Sequence, residues 1–276
     1  LAAAIGIAGD EILDISSGIF YNAETEAENR GIGDKMSVLY LVRHGQASFG
    51  AENYDQLSKL GERQMALLGQ YWLKFGILPD AVYSGSLSRQ QRSAECVAEA
   101  FRSAGRKFPE IKIIEQFNEY ETRHILTASL SEVLTRNPEI ARLARELAPN
   151  GAVDFVNDKK AFQKLFSAVM DMWVDDRIQV EGMESWKQFT SRVNQGLERV
   201  MEEQGAGKTV AVFTSGGPVS AVMQRALKTA DKTALELGWV IANGSVSEFR
   251  YSGEKFSLAV FNATNHLTEP ELITYR

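Results

Sequence analysis

Arg43-His44-Gly45-Gln46 directly follows an almost continuous apolar run, Val38–Val42. Such runs form strands buried on both faces, and open α/β sheets place ligands at the carboxyl ends of those strands. Three further junctions of this kind follow. Ala81-Val82-Tyr83-Ser84 leads into Gly85-Ser86-Leu87-Ser88-Arg89, which puts Arg89 in the first turn of a helix. Ile111–Ile114 leads into Phe117-Asn118-Glu119-Tyr120, and Thr209–Thr214 leads into Ser215-Gly216-Gly217-Pro218. Together they present Arg, His, Arg, Glu and a glycine-rich helix start. That set suits a phosphate, because guanidinium forks bind phosphoryl oxygens bidentately. A helix N-terminus opened by Gly-Gly with Pro in its first turn offers backbone N–H groups to an anion. An Arg-His-Gly tripeptide alone carries little information; the four junctions together carry more.

The elements between these junctions alternate strands and helices. Ser58 is placed to cap a helix running through Met65, Leu68, Tyr71, Trp72 and Phe75, stopped by Gly76 and Pro79. Leu87, Ala94, Val97, Ala98 and Phe101 make the apolar stripe of a second helix, in which Cys96 packs and Arg92 reads as a surface charge. Residues from about 127 to 180 read as a helical insert broken by Pro138 and Pro149-Asn150-Gly151. In it Phe155, Phe162, Phe166, Val169 and Trp173 recur at helical spacing, as core packing or as an apolar lid. Glu184–Glu203 reads as a long amphipathic helix, and two strands near Val246–Tyr251 and Phe256–Phe261 close the chain as a hairpin over Ser252-Gly253-Glu254. The pattern predicts one α/β domain, residues 36–276, with three α/β/α layers around a mostly parallel central sheet.

Composition narrows the classes. The 276 residues hold 44% hydrophobic and 24% charged residues, with 36 acids against 30 bases, as in ordinary soluble domains. A pI near 5.3 argues against binding nucleic acid, which needs a net basic face. No apolar run approaches the ~20 residues of a membrane helix, so no membrane partner is expected. A single cysteine cannot form an internal disulfide, which fits a cytoplasmic setting, and three histidines exclude a histidine-cluster site. Seven acids and two bases (Arg30, Lys35) fall in residues 1–35, which leaves a balance of only −1 for the rest. That segment reads as an upstream extension or fusion remnant preceding a functional domain that starts at Met36. The other reading is an N-terminal helix with Ile5, Ile7, Ile12, Leu13 and Ile15 as its apolar face.

The quoted junctions resemble the histidine phosphatase superfamily, or phosphoglycerate mutase-like family, from about Ser37 to the C-terminus. The resemblance rests on Leu41-Val42-Arg43-His44-Gly45, on Ser86-Leu87-x-Arg89 with Ala94-Glu95 behind it, on Phe117-Asn118-Glu119, and on Asn262-x-x-Asn265-His266-Leu267. Gln46–Gly50 and Asn53-Tyr54-Asp55-x-Leu57-Ser58 are similar to one bacterial branch of it. The resemblance implies that His44 is a nucleophile that takes the phosphoryl group, that Arg43 and Arg89 hold its oxygens, and that Glu119 protonates the leaving alcohol. Ser215 and Gly216 would complete the phosphate site. No metal or other cofactor is needed, since the two guanidiniums neutralise charge, and the partner is a small phosphorylated substrate.

Two positions depart from the family pattern. Ser215 stands where the family carries a second histidine, a loss worth roughly 10²–10³ in rate by analogy with removing one transition-state donor. His124 and His266 are the remaining histidines; His124 reads as a loop residue or a pocket-lining substitute, His266 as a structural hydrogen-bonding group. Gly50 stands where many mutases have asparagine, which weakens a mutase reading more than a phosphatase one. Ser215 also motivates two rivals: a pseudo-enzyme that binds a phosphorylated ligand, and a serine esterase using Ser215 with an acid and His266. Phe213 occupies the place where the tight esterase elbow needs glycine. Gly207-Lys208-Thr209 is no P-loop, since residue 202 is Glu and a strand follows.

Overall fold

Apolar residues on both sides of one strand set the architecture. In β1 (Ser37–Arg43), Leu39 and Leu41 join one buried cluster while Val42 joins another, with Tyr40 packed against the second. The computed structural model describes residues 35–48, 55–121, 135, 138–147, 159–178, 182–253 and 255–275. The remaining strands are β2 (Ala81–Ser84), β3 (Ile111–Ile113), β4 (Thr209–Thr214), β5 (Val246–Ser252) and β6 (Lys255–Ala263). They form one mixed sheet in the order β3-β2-β4-β1-β5-β6. β3, β2, β4 and β1 run parallel, so their carboxyl ends meet at one edge, and β5 and β6 add an antiparallel flank.

Seven α-helices are described, and they cover both faces. These are α1 (Lys59–Lys74), α2 (Ser88–Ser103), α3 (Pro138–Leu147), α4 (Lys159–Val174), α5 (Trp186–Gln204), α6 (Gly216–Leu227) and α7 (Asp231–Trp239). Met65, Leu68 and Trp72 of α1 and Ala94, Val97 and Phe101 of α2 pack on Val42, Val82, Ala211 and Phe213. On the opposite face α3 to α7 share a larger core around Leu39, Leu41, Val210, Val212 and Phe249. Burying one such large apolar side chain is worth about 1.5–3 kcal/mol, so each layer holds the strand ends firmly. The fold is the expected three-layer α/β/α domain.

Local signals explain the boundaries. Ser58 caps α1, its Oγ accepting from Gly61 N at 3.1 Å, and Gly76 at φ +67° follows the helix end. Ser185 caps α5 by accepting from Gln188 N at 3.2 Å, so that helix begins at Trp186, two residues inside the expected span. Helix α7 is not anticipated by periodicity; its N-cap is Ala230, which makes no side-chain bond. Of the insert, α3 and α4 are described, and Val169 and Trp173 lie in the core with Phe166 packed against it. Phe155 and the Phe162 side chain lie outside the described residues, as do Pro149-Asn150-Gly151 and the segment 1–35 except Lys35. Cys96 is buried, and Arg92 forms surface ion pairs with Glu62 and Glu99. No described helix is long and apolar enough to cross a membrane.

The loop after β1 lies unusually close to α1. A Cβ on Gly61 would come within 2.2 Å of the Gln46 carbonyl oxygen, and one on Gly45 within 2.4 Å of the Gly61 oxygen. Both obstacles are backbone, so neither can move without displacing His44. Gly61→Ala should therefore destabilise the fold by about 1–3 kcal/mol in urea unfolding. A variant as stable as wild type would contradict this close approach.

Candidate active site

The parallel strand ends bring the expected residues to one edge. His44 extends the ladder beyond β1, its N–H donating to Thr214 O at 2.8 Å, while Gly85 N bonds Phe213 O at 3.1 Å from the other side of β4. His44 is 5% exposed. Its Nδ1 lies 2.7 Å from Gly45 O. A carbonyl only accepts, so Nδ1 carries the hydrogen and Nε2 keeps a lone pair. That lone pair faces Arg89, whose Nε–H donates to Nε2 at 3.2 Å. Burial first, and then the positive charges of Arg89 and Arg43, hold the His44 pKa well below the ordinary 6.5. The imidazole is thus neutral and nucleophilic through the whole neutral range.

The two arginines are held differently. Arg89 Nη1 pairs with Asp55 Oδ1 at 2.7 Å. Its carbonyl accepts from Ser93 Oγ, which in turn accepts from Gly45 N, linking α2 to the His44 turn. Arg43 reaches under the head of α6: its guanidinium donates to the carbonyls of Ile241 and Tyr275. A Cβ at Gly216 would stand 3.7 Å from Arg43 Nε.

Glu119 sits directly on the α6 N-terminus. Its Oε2 accepts from Gly217 N at 3.1 Å and its Oε1 from Tyr120 N at 3.1 Å. Only glycine fits beneath it, since a Cβ at Gly217 would lie 2.1 Å from Oε1. The helix start that suits an anion thus holds the protein's own carboxyl group. Burial raises the Glu119 pKa above 4.5, outweighing the Gly217 N–H and the Arg89 and Arg43 charges. A carboxyl with a raised pKa and a neutral imidazole therefore feel the same pair of guanidiniums.

A buried amide node, not singled out in the sequence, fixes this geometry. Gln90 Nε2 donates to Ser215 Oγ at 2.8 Å and to Phe117 O at 3.1 Å. Thr214 Oγ1 donates to the same carbonyl at 2.7 Å. Asn118 ties the segment to Ser86 through both ends of its amide, and Arg192 donates to the Gln116 and Asn118 carbonyls. These groups hold the stretch two residues before Glu119 from three sides. Ser215 is fully buried and engaged by Gln90.

The remaining histidines stand apart. His266 lies against Gly244 and Tyr71, with Nε2 making no hydrogen bond, and burial lowers its pKa to about 4. A backbone hydrogen bond to Gly244 opposes that lowering and accords with the structural hydrogen-bonding role expected of His266. His266 is not the partner of Ser215, which bonds Gln90, and this removes the geometric basis of the esterase reading. His124 and Gly50 lie outside the described residues.

The chain belongs to the histidine phosphatase superfamily (branch 1), whose family model matches residues 39–152 and 154–264. Its fold is that of phosphoglycerate mutase-like proteins. A phosphoglycerate mutase from Bacillus anthracis superposes with TM-score 0.58 at 16% identity, over 85% of this chain and 96% of that one. A phosphoserine phosphatase from Entamoeba histolytica gives 0.52 at 17% identity, over 84% and 99%. The alpha-ribazole phosphatase from Shigella flexneri gives 0.53 at 20%, over 82% and 96%. No curated protein matches by sequence.

Two stability measurements check this geometry. An imidazole at 215 would overpack the buried Gln90 amide, so Ser215→His should lower stability by about 1–3 kcal/mol. Combining it with Gln90→Ala should recover part of that loss; a fully stable single variant would contradict the packing. The second concerns Glu119. With its folded pKa raised, its contribution is full below about 4.5 and is lost as pH rises through the folded value. Hence the stability of Glu119→Gln relative to wild type should increase from acid to neutral pH. A pH-independent difference would show that the carboxyl is not perturbed.

Proposed function

We propose that this chain is a metal-independent phosphomonoesterase that works through a phosphohistidine on His44. The observation that carries the reading is the His44 Nε2 lone pair, held toward Arg89 by the Nδ1–H bond to Gly45 O. In the first step Nε2 attacks phosphorus, the bond to the ester oxygen breaks, and Glu119 gives its proton to the departing alkoxide. In the second, the Glu119 carboxylate takes a proton from water, the water oxygen attacks phosphorus, and the P–N bond breaks to restore the Nε2 lone pair. Ester and water become alcohol and phosphate. Arg43 and Arg89 grip the non-bridging oxygens and offset the charge that develops on them. The α6 head, with Ser215 and Gly216, adds the positive end of a helix dipole. Two fixed cations supply the neutralisation for which other phosphatases use metal.

The substrate is a small phosphorylated molecule in a cytoplasmic setting. Hydrolysis is preferred over mutase chemistry because Gly50 lacks the amide that many mutases place on phosphate. The second reading, a weak or inactive binder of phosphorylated ligands, is favoured by Ser215, which supplies no charge and is already bonded to Gln90.

Phosphate release from a panel of phosphomonoesters, with and without EDTA, separates the two. Wild type should turn over in EDTA, and His44→Ala should fall by about 10³-fold or more, with Ser215→Ala only slowed. Equal activity in wild type and His44→Ala would overturn the mechanism, and binding without turnover in every variant would favour the binder. The pH profile gives a further check. The acid limb of kcat/KM should lie well below 6.5, where His44 protonates, and the alkaline limb above 4.5, where Glu119 loses its proton. Glu119→Gln should abolish the alkaline limb; its persistence would assign it to another group.

A further inference from the structure

Asp55 makes bonds that helix capping alone does not require. It follows the β1 loop in sequence and reaches the start of α2, where Oδ2 accepts from Ser88 N at 2.8 Å and Oδ1 from Arg89 N at 3.4 Å. Capping α2, whose N-cap Leu87 has no hydrogen-bonding side chain, would account for those two bonds. The third goes to the Arg89 side chain: Oδ1 pairs with Nη1 at 2.7 Å, with Arg89 only 11% and Asp55 31% exposed at the side chain. From the same guanidinium, Nε points at His44 Nε2. One carboxylate therefore fixes the backbone from which Arg89 springs and also the far end of its fork.

We propose that Asp55 is the positioning residue of the site, a pivot that aims Arg89 Nε at the His44 lone pair and keeps it there until a phosphoryl group enters. The Nη1 end stays anchored while Nε exchanges the imidazole nitrogen for a phosphoryl oxygen. A carboxylate beside a phosphate-binding arginine would otherwise only weaken anion binding. Its presence makes sense if fixing the direction of the guanidinium outweighs that loss, because a shift of about 1 Å at a reacting group can cost ~10²-fold in rate. The inference rests on the proposed phosphoryl chemistry for its purpose, but its geometry concerns the unliganded protein and can be tested there.

Among the described residues, the charged groups that act on His44 are Arg89 from α2 and Arg43 from β1. Glu119 senses the same two guanidiniums, and Asp55 pairs with the first. Two opposite effects follow from Asp55→Ala. If Asp55 holds Arg89, the guanidinium swings away and the His44 pKa rises toward 6.5. If Arg89 keeps its place without Asp55, loss of the neighbouring anion lowers the His44 pKa further.

The experiment is an NMR titration of the histidine rings in the full-length unliganded protein, with His44 assigned by its absence in His44→Gln. Asp55→Ala should raise the His44 pKa, and Asp55→Asn, which keeps an acceptor for Nη1 and for one backbone N–H, should raise it less. If Asp55→Ala does not fold, the sign of the shift in Asp55→Asn decides. A lowered or unchanged pKa in the folded variants, with only thermal stability reduced, would overturn the proposal and leave Asp55 a helix cap. In the phosphate-release assay kcat should fall about 10²-fold in Asp55→Ala, with partial rescue in Asp55→Asn. The titration needs no turnover, so an inactive wild type would remove the proposed function without touching this result.

Discussion

An unprotonated imidazole enclosed with two arginines is the constraint on which the rest depends. Placing His44 there requires a ring that stays neutral, because a third positive charge in that space would be repelled by both guanidiniums and stripped of water. The Gly45 carbonyl takes the Nδ1 hydrogen, which leaves no choice of tautomer, and the Arg89 Nε–H donates to the other nitrogen. The close backbone approach of Gly45 and Gly61 brings α1 against this turn, and Ser93 bridges the turn to α2. The two glycines, the serine and the parallel strands around β1 serve one ring.

Glu119 is set by a complementary constraint. It lies near two cations that favour its ionised form. Burial outweighs them, while the α6 N-terminus and Tyr120 N orient both oxygens. Its orientation is inherited from the buried node of Gln90, Thr214 and Phe117, three elements that meet only in the folded chain. Ser215 belongs to that node: its hydroxyl serves as an acceptor for Gln90 and so supports the acid segment. Ser215 and the buried Gln90 amide form one packing arrangement, with no exposed space at position 215.

Much of this was legible in the residues. Strands β1, β2 and β4 announced themselves as apolar runs, Ser58 and Gly76 bracketed α1, and Arg43, His44, Arg89 and Glu119 each stood at a strand-to-helix junction. The rest has no local signature. Helix α7 has a non-bonding cap and a weak stripe. Gln90 and Arg192 look like ordinary polar positions on amphipathic helices, and Asn118 like part of the acid segment. Their roles come from bonds to carbonyls, a hydroxyl and a backbone N–H 27 to 125 residues away. Asp55 sat within a quoted stretch, but its importance lies in reaching Arg89, 34 residues on. Periodicity reports which face is buried; it says nothing about which polar groups meet inside.

Trapping a phosphoryl adduct on His44 tests the proposed chemistry most directly. Wild type mixed rapidly with a turned-over phosphomonoester, quenched in alkali and digested, should yield one phosphoryl group on the peptide containing His44. The adduct should be stable in base, lost in acid, and absent from His44→Gln. Turnover with the phosphoryl group on another residue, or with no adduct at any time point, would contradict it.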